Sequence, residues 1–231
     1  MGTPTRLNKY LAHSLGISRR EADLRIQQGS VILNGKPATL GNVIVPGRDH
    51  VSVDNTPLID VVKRYTYLLM NKPTGYVCSR KKQGNIPTIY ELLPRQYQNL
   101  KVAGRLDKDS QGLLLLTDDG DTIFKLTHPK FGKEKVYEVG LNKPLTPEDL
   151  AAINAGIILE DGTSNLKVSK LPKSSSKKPN MYRVVMSEGR NRQIRRTFGG
   201  LRYMVTHLER QSFGQFRLSE LGQKSYKTVS L

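Results

Sequence analysis

The chain has 231 residues, of which 37% are hydrophobic, so it can form one large domain or a small and a medium one. Its net charge of +17 and pI of about 10.0 favour a polyanionic partner, above all nucleic acid, over a merely soluble basic protein or one bound to acidic membrane. The single cysteine excludes an internal disulfide framework and a cysteine-rich zinc site, and no apolar run reaches the ~18 residues of a membrane span.

The remaining composition predicts a cytoplasmic protein that uses no metal. The first ten residues lack the apolar core of a signal peptide. The four histidines are scattered along the chain without metal-ligand spacing. We interpret Cys78 as a passive, small apolar residue.

Residues 5 to 53 are predicted to form a small unit of two helices and a hairpin sheet. Apolar residues recur at helical spacing from Leu7 to Leu15, and Gly16 ends that helix. A capping box from Ser18 to Glu21 starts the second helix. A strand follows, and Asn34-Gly35 is a strong hairpin-turn signal.

This unit resembles the S4 RNA-binding domain. The resemblance is carried by Arg6 to Leu11, by Ser18 to Ala22 and by Val31 to Gly35. Five cations can gather on one side of the helix pair and bind phosphates. They are Arg6, Lys9, Arg19, Arg20 and Arg25.

Residues 54 to 64 are predicted to be a linker, and the pattern changes from Tyr65 onward. The second domain, residues 65 to 231, should contain many strands of a mixed or antiparallel sheet and a few helices, which makes the whole chain α+β. Strands are predicted at Tyr65–Met70, Tyr76–Cys78, Leu113–Thr117, Lys135–Val139 and Tyr182–Met186. Helices are predicted after Asp118, over Pro147–Gly156 with Thr146 as the N-cap, and from Gln193 to Phe198.

The stretch from Gly104 to Thr117 is the most informative part of the sequence. Asp107 stands between the cations Arg105 and Lys108, just ahead of a short apolar strand. Nearby positive charge favours the ionised carboxylate. An anionic side chain on a loop, held against a rigid sheet in a basic setting, suits a nucleophile or base that meets a polyanionic substrate.

Four arginines crowd the segment from Glu188 to Arg196. Between Gly162 and Arg217 there are thirteen Lys or Arg and two acids, and part of the excess lies in a basic loop from Lys173 to Pro179 that is either a solvated hairpin tip or an RNA contact. The four arginines of the segment from Glu188 to Arg196 repel one another unless anions separate them, so they must contact carboxylates, phosphates or both. Asp107 is a natural partner.

These stretches, together with Leu69 to Gly75 and the strand Glu134 to Val139, resemble the RsuA/RluB/RluE/RluF family of pseudouridine synthases. The S4-like unit fits that family, and the amino-acid sequence from Asp107 to Gly112 is most similar to its RluF subgroup. The resemblance covers about residues 5 to 220. It implies isomerisation of a specific uridine in structured RNA without a cofactor, by a protein that we expect to be monomeric.

The resemblance also implies roles for matched residues. Asp107 corresponds to the essential aspartate that acts at the uridine, and Tyr137 to the tyrosine that stacks on the target base. Arg195, with Arg192 and Arg196 as alternatives, corresponds to the basic residue that pairs with the aspartate. Four further arginines are expected to contact RNA in this domain. They are Arg105, Arg190, Arg192 and Arg196.

An ionised aspartate can attack C1′ of the sugar, attack C6 of the base or remove the C2′ proton. The sequence does not distinguish among these three routes. Ribosomal RNA, with the large subunit ahead, is the expected substrate, and tRNA is the alternative. A non-catalytic RNA-binding or ribosome-assembly protein on the same scaffold is the competing hypothesis. A glycosidase fits poorly because no convincing pair of carboxylates is present.

Overall fold

The computed structural model describes residues 3–59, 65–172 and 179–230, and it confirms the α+β class. The chain divides into two compact units, Met1–Arg64 and Tyr65–Leu231. The predicted basic loop falls largely on residues 173–178, outside the described residues. No helix of the described ranges is long and apolar enough to cross a membrane.

The first unit packs two short helices against short strands. Its elements are β1 (Thr5–Arg6), α1 (Leu7–Leu15), α2 (Arg19–Gln27), β2 (Val31–Leu33), β3 (Lys36–Pro37), β4 (Val43–Ile44), β5 (Val51–Val53) and β6 (Thr56–Pro57). The helix boundaries follow the local signals: Gly16 adopts a left-handed conformation after α1, and the Ser18 side chain accepts a hydrogen bond from the Glu21 backbone at the start of α2. Leu7, Leu11 and Ile26 contribute to the buried core of this unit.

A four-stranded sheet in the order β3-β2-β5-β6 completes this unit. Asn34 and Gly35 both have positive φ, at 51° and 78°, as the tight turn between β2 and β3 requires. Thr56 and Pro57 form β6 and pair with β5, so the segment predicted as a linker begins as a strand of the first unit. Asp54 and Asn55 make the turn that allows this pairing, because both take left-handed conformations. Residues 60–64 of the predicted linker lie outside the described residues.

The second unit is built on one large sheet. Its strands are β7 (Tyr67–Lys72), β8 (Lys101–Ala103), β9 (Gln111–Thr117), β10 (Lys135–Leu141), β11 (Ile157–Leu159), β12 (Gly162–Ser164), β13 (Lys167–Lys170), β14 (Met181–Met186), β15 (Val205–Phe213), β16 (Phe216–Arg217) and β17 (Tyr226–Val229). Its helices are α3 (Gly120–Thr127), α4 (Pro147–Ala155) and α5 (Gln193–Gly200). Thr146 caps α4 as predicted, with Pro147 in the first turn. The predicted strand at Tyr76–Cys78 is instead a single bridge between Val77 and Thr88.

The strands of the large sheet run in the order β13-β14-β10-β15-β9-β7-β17, with β8 paired to β9 and β16 paired to β15, while β11 and β12 form a separate two-stranded sheet. The leucine run of β9 is buried on both faces: Leu114 and Leu116 belong to one hydrophobic cluster, and Leu113 and Leu115 to another. Helices α4 and α5 contribute to the first cluster, and α3 contributes to the second.

One junction of the sheet positions the candidate site. Strands β9 and β15 run parallel, with Gln111 beside Glu209 and Gly112 beside Arg210, whereas their other neighbours run antiparallel. The chain leaves the sheet after β8 and returns at β9. We call residues 104–112, which comprise this connection and the first two residues of β9, the Asp107 loop.

Candidate active site

Asp107 starts a tight turn within the Asp107 loop. The Ser110 amide donates to the Asp107 carbonyl at 3.2 Å, and the Gly75 amide donates to the Lys108 carbonyl at 2.8 Å. The Asp107 side chain is 34% exposed, and an Arg192 nitrogen lies 3.7 Å from one of its oxygens. No N–H or O–H group of the described residues donates a hydrogen bond to this carboxylate, so its lone pairs are available to a substrate.

A buried lysine holds the backbone beneath Asp107. Lys72 is fully buried at the end of β7, and its ammonium group donates to the carbonyls of Pro73, Asp107 and Ser110 at 3.0, 3.0 and 2.8 Å. All three donors of the ammonium group are therefore used. Burial lowers the pKa of Lys72, while the nearby anionic side chains oppose this shift. Sequence reasoning assigned no role to Lys72; the available signal was a lysine placed directly after an apolar strand.

Arg192 and Arg195 bind the same turn through Asp109. Arg192 donates to both carboxylate oxygens of Asp109, at 3.0 and 3.0 Å. Arg195 lies 3.2 Å from that carboxylate and donates to the Asp109 carbonyl at 2.8 Å and to the Val205 carbonyl at 3.0 Å. The hydrogen bonds from Arg192 outweigh partial burial and lower the pKa of Asp109. Asp109 is thus neutralised by two guanidinium groups.

This arrangement corrects the predicted partner of Asp107. We expected Arg195 to pair with Asp107, but Arg195 pairs with Asp109, and the cation nearest to the Asp107 carboxylate is Arg192. The reason is that Asp109 presents a carbonyl and a carboxylate together, which a guanidinium fork can bind at once. Arg192 itself adopts a left-handed conformation, with φ of 48°, immediately before α5.

Arg190 and Arg196 bind a different acidic turn, in the hairpin of β11 and β12, which we call the Asp161 hairpin (residues 157–164). Arg196 donates to both carboxylate oxygens of Asp161, at 3.0 and 2.7 Å. Arg190 donates to the same carboxylate at 2.8 Å and to the carbonyls of Asp161, Gly162 and Thr163. The terminal nitrogens of these two arginines are committed to the protein, so the predicted phosphate contacts are not supported for them.

Tyr137 lies mid-strand in β10 and is 7% exposed. It belongs to the same hydrophobic cluster as Leu106, which directly precedes Asp107. The predicted stacking of a base on this ring therefore requires neighbouring side chains to move. Arg105, on the other side of Leu106, is exposed.

Arg6 and Arg19, two of the predicted RNA-binding cations in the first unit, line one surface pocket with Asn8. Arg6 donates to the Gly41 carbonyl at 3.2 Å, and Arg19 donates to the Asn8 side chain at 3.3 Å. Arg20 is exposed, and Lys9 is partly buried on α1.

Arg25 forms two ion pairs within the first unit. It lies 3.9 Å from the Glu21 carboxylate and 3.8 Å from the Asp54 carboxylate. The carboxylates balance its charge and tie α2 to the turn before β6. The phosphate contact of Arg25 stays a prediction.

Cys78 is partly buried and accepts a weak hydrogen bond from the Leu106 amide at 3.5 Å. Burial raises the pKa of its thiol, so the reactive thiolate form is disfavoured. Among residues 3–59, 65–172 and 179–230, no group of three or more His, Cys, Asp and Glu side chains could hold a metal ion.

A half-exposed carboxylate on a fixed turn, with a guanidinium group beside it, can act as a nucleophile or as a base. Comparison with known proteins places this geometry in context. Residues 66–199 match the family of RNA pseudouridylate synthases, and residues 5–51 match the S4 domain.

Three relatives are similar over almost the whole chain. The dual-specificity RNA pseudouridine synthase RluF of Escherichia coli strain K12 is 40% identical over 93% of this chain and 71% of its own. Ribosomal small subunit pseudouridine synthase A of Haemophilus influenzae is 35% identical over 97% of this chain and 96% of its own. A crystal structure of a pseudouridylate synthase superimposes with a TM-score of 0.67 at 33% identity, covering 97% of this chain and 96% of that one.

Proposed function

Because the chain belongs to the RNA pseudouridine synthase family and carries an S4 domain, we propose that it isomerises a specific uridine of structured RNA with Asp107 as the reactive carboxylate. One observation carries this assignment. Asp107 is the acid of its turn whose carboxylate receives no hydrogen bond from the described residues, while Asp109, two positions on, binds both neighbouring arginines. The turn leaves the Asp107 carboxylate without a hydrogen bond within the described ranges and uses Asp109 as an anchor.

The reaction breaks the bond between N1 of uracil and C1′, rotates the base and joins its C5 to C1′. The C5 proton leaves to solvent and N1 gains a proton, so the product is an isomer of the substrate. Asp107 serves this reaction by attack on C1′, by attack on C6 or by removal of the C2′ proton. Arg192 is the cation placed to orient the carboxylate. No redox step occurs, so the residues of this chain suffice without a cofactor.

The target base must leave its stack before Asp107 can reach it, which costs a few kcal/mol. We assign Tyr137 to receive the base, since base–aromatic stacking is worth about 1–3 kcal/mol. Exposed or partly exposed cations bind the surrounding phosphates. The proposed set is Arg6, Lys9, Arg19 and Arg20 in the S4 domain and Arg105 in the Asp107 loop.

Ribosomal RNA is the proposed substrate, and the protein is proposed to act in the cytoplasm as a monomer. Support for ribosomal RNA comes from the names of relatives, among them ribosomal large subunit pseudouridine synthase B of Bacillus subtilis, 34% identical over 94% of this chain and 88% of its own. We place large-subunit RNA ahead of small-subunit RNA, and tRNA third. A pseudouridine map of ribosomal RNA and tRNA with and without this gene distinguishes the three.

The direct test is tritium release from RNA that carries tritium at C5 of uridine. The wild-type protein should release tritium from at least one ribosomal RNA fragment. Asp107→Asn should lower the rate at least about 1000-fold, because the amide cannot act as a nucleophile or a base. Its affinity for the same RNA should stay within about threefold, since phosphate contacts dominate binding. Turnover by Asp107→Asn at the wild-type rate would remove Asp107 from the reaction.

A further inference from the structure

Arg210 is a buried cation on β15 whose hydrogen bonds go to the backbone of the Asp107 loop and its continuation in β9. It is 1% exposed. Its Nε donates to the Leu113 carbonyl at 2.7 Å, and one terminal nitrogen donates to the Gly104 carbonyl at 2.9 Å. The guanidinium carbon lies 5.0 Å from the centre of the Phe213 ring. Gly104 opens the loop and Leu113 follows its last residue, so one rigid group spans both ends.

Burying Arg210 in this way is electrostatically unfavourable. A buried charge is normally paired with an opposite charge, but no carboxylate of the described residues forms an ion pair with Arg210. Two further cations, Lys72 and Lys135, are buried in the same domain, and the charge of Arg210 contributes to lowering the pKa of each. An apolar side chain of similar size would avoid this repulsion. Stability alone therefore does not account for an arginine at this position.

The glycines at the two ends of the loop show how closely the backbone packs against Arg210 and Phe213. A Cβ on Gly104, which has φ of 67°, would lie 2.9 Å from the Phe213 ring. A Cβ on Gly112, with φ of 103°, would lie 2.5 Å from the backbone oxygen of Arg210. Both glycines have positive φ, which most residues avoid. The Gly104 end of the loop thus packs against the Phe213 ring, and the Gly112 end packs against the backbone of β15.

We propose that Arg210 is a positioning residue for the isomerisation. Its planar fork sets the separation between the Gly104 and Leu113 carbonyls, and this separation sets the direction in which the Asp107 carboxylate points. The inference rests on the proposed role of Asp107. Arg210 acts on Asp107 through the backbone and contacts no substrate.

The positioning role predicts that rate and stability separate on substitution. Arg210→Met leaves two carbonyls without their donor, which destabilises the fold. It also fills the space and removes a buried charge, which offsets that loss, so the melting temperature should stay within about 4 °C of wild type. A displacement of ~1 Å in a reactive group can cost on the order of 100-fold in rate. We expect kcat to fall about 100-fold while KM and the RNA dissociation constant stay within about threefold. An arginine that served only the fold would lower the melting temperature and the rate together.

Arg80, which is exposed, offers a control for the loss of an arginine that bonds to the backbone. It also donates to a carbonyl, that of Leu100 at 2.9 Å, and lies 4.7 Å from an aromatic ring, that of Tyr90, but it does not bind the Asp107 loop. Arg80→Met should leave kcat unchanged. If Arg80→Met lowers kcat as much as Arg210→Met does, loss of any such arginine is enough and the positioning role is wrong.

Two further variants test the positioning role of Arg210 if Arg210→Met does not fold. Arg210→Lys keeps the charge, but its single ammonium group cannot reproduce the planar fork, so kcat should fall at least about tenfold. In Arg210→Ala, added methylguanidinium should restore part of the lost rate, because it can fill the vacated space and bind both carbonyls. Wild-type kcat in Arg210→Lys, or no recovery in folded Arg210→Ala, overturns the proposal.

Asp107→Asn in the same series separates the two hypotheses. An active Asp107→Asn protein refutes the proposed function itself. An inactive Asp107→Asn protein together with a fully active Arg210→Met protein refutes the role of Arg210 alone.

Discussion

Two acidic turns of the second unit share the arginine cluster and use it differently. In the Asp161 hairpin, Arg190 and Arg196 bind the single aspartate side chain through three hydrogen bonds. In the Asp107 loop, Arg192 and Arg195 bind Asp109, and the Asp107 carboxylate keeps one cation at 3.7 Å. The difference teaches that a second aspartate in a turn can form the strong ion pairs with the arginines, which leaves the carboxylate of its neighbour available for chemistry.

Substituting Asp109 should break this division most strongly. In Asp109→Asn, Arg192 loses its carboxylate partner, and the remaining carboxylate nearby is that of Asp107. We expect kcat to fall about 10- to 100-fold because Arg192 then covers the reactive group. Tritium release measures the rate. The double variant Asp109→Asn/Arg192→Gln should recover part of it, and strictly additive losses would show that Arg192 does not move onto Asp107.

Removing Lys72 should show that the Asp107 loop needs a buried support. Lys72→Ala leaves a cavity and three carbonyls without their donor, so the free energy of unfolding should fall by about 3 kcal/mol. The rate of the folded fraction should fall about tenfold. Urea denaturation gives the first quantity and tritium release the second. The exposed Lys227 donates to one carbonyl, that of Glu220, and Lys227→Ala should stay within about 0.5 kcal/mol of wild type.

Lys135 binds the start of the segment that carries all four arginines, and its charge should make stability depend on pH. Its ammonium group donates to the carbonyls of Ser187 and Glu188, and burial, followed by the charge of Arg210, lowers its pKa from 10.5 to about 8. Between pH 8 and 10.5 the unfolded chain therefore binds more protons at this residue than the folded one.

The free energy of unfolding of wild type should accordingly rise relative to Lys135→Met across this pH window. We expect a gain of about 2 kcal/mol, measured by urea denaturation at pH 7 to 10. A difference that does not change with pH would show that Lys135 titrates alike in both states.

The Asp161 hairpin should give the smallest effect on catalysis. Asp161→Asn removes the carboxylate that Arg190 and Arg196 share, so the melting temperature should fall. The rate of tritium release should not change, because no hydrogen bond or ion pair among the described residues joins this hairpin directly to Asp107. A rate loss as large as that of Asp109→Asn would mean that the two turns act as one unit.

Local signals in the sequence predict much of this fold because they act within a few residues. Gly16, Ser18, the Asn34-Gly35 turn and Thr146 set the boundaries of their elements as predicted. The Tyr76–Cys78 segment was predicted wrongly, since alternation of side chains shows that a segment can be extended but not that a partner strand exists beside it.

The candidate site could be predicted only in outline. The sequence indicated that the arginines need anions, but their choice between Asp107, Asp109 and Asp161 depends on how three distant loops meet. Lys72 and Arg210 escaped sequence reasoning because lysine and arginine are rarely buried without a partner. Their hydrogen-bond acceptors are backbone carbonyls, which every residue carries, so no sequence motif predicts these contacts.

Lys72 and Arg210 hold the Asp107 loop through its main chain, and Arg195 adds a third such contact at the Asp109 carbonyl. Because main-chain atoms survive substitution, exposed side chains such as Arg105 and Lys108 can be exchanged while the carboxylate keeps its direction. Divergence toward a new RNA target can therefore proceed at these surface positions without rebuilding the chemistry. For an engineer, they are the first residues to randomise.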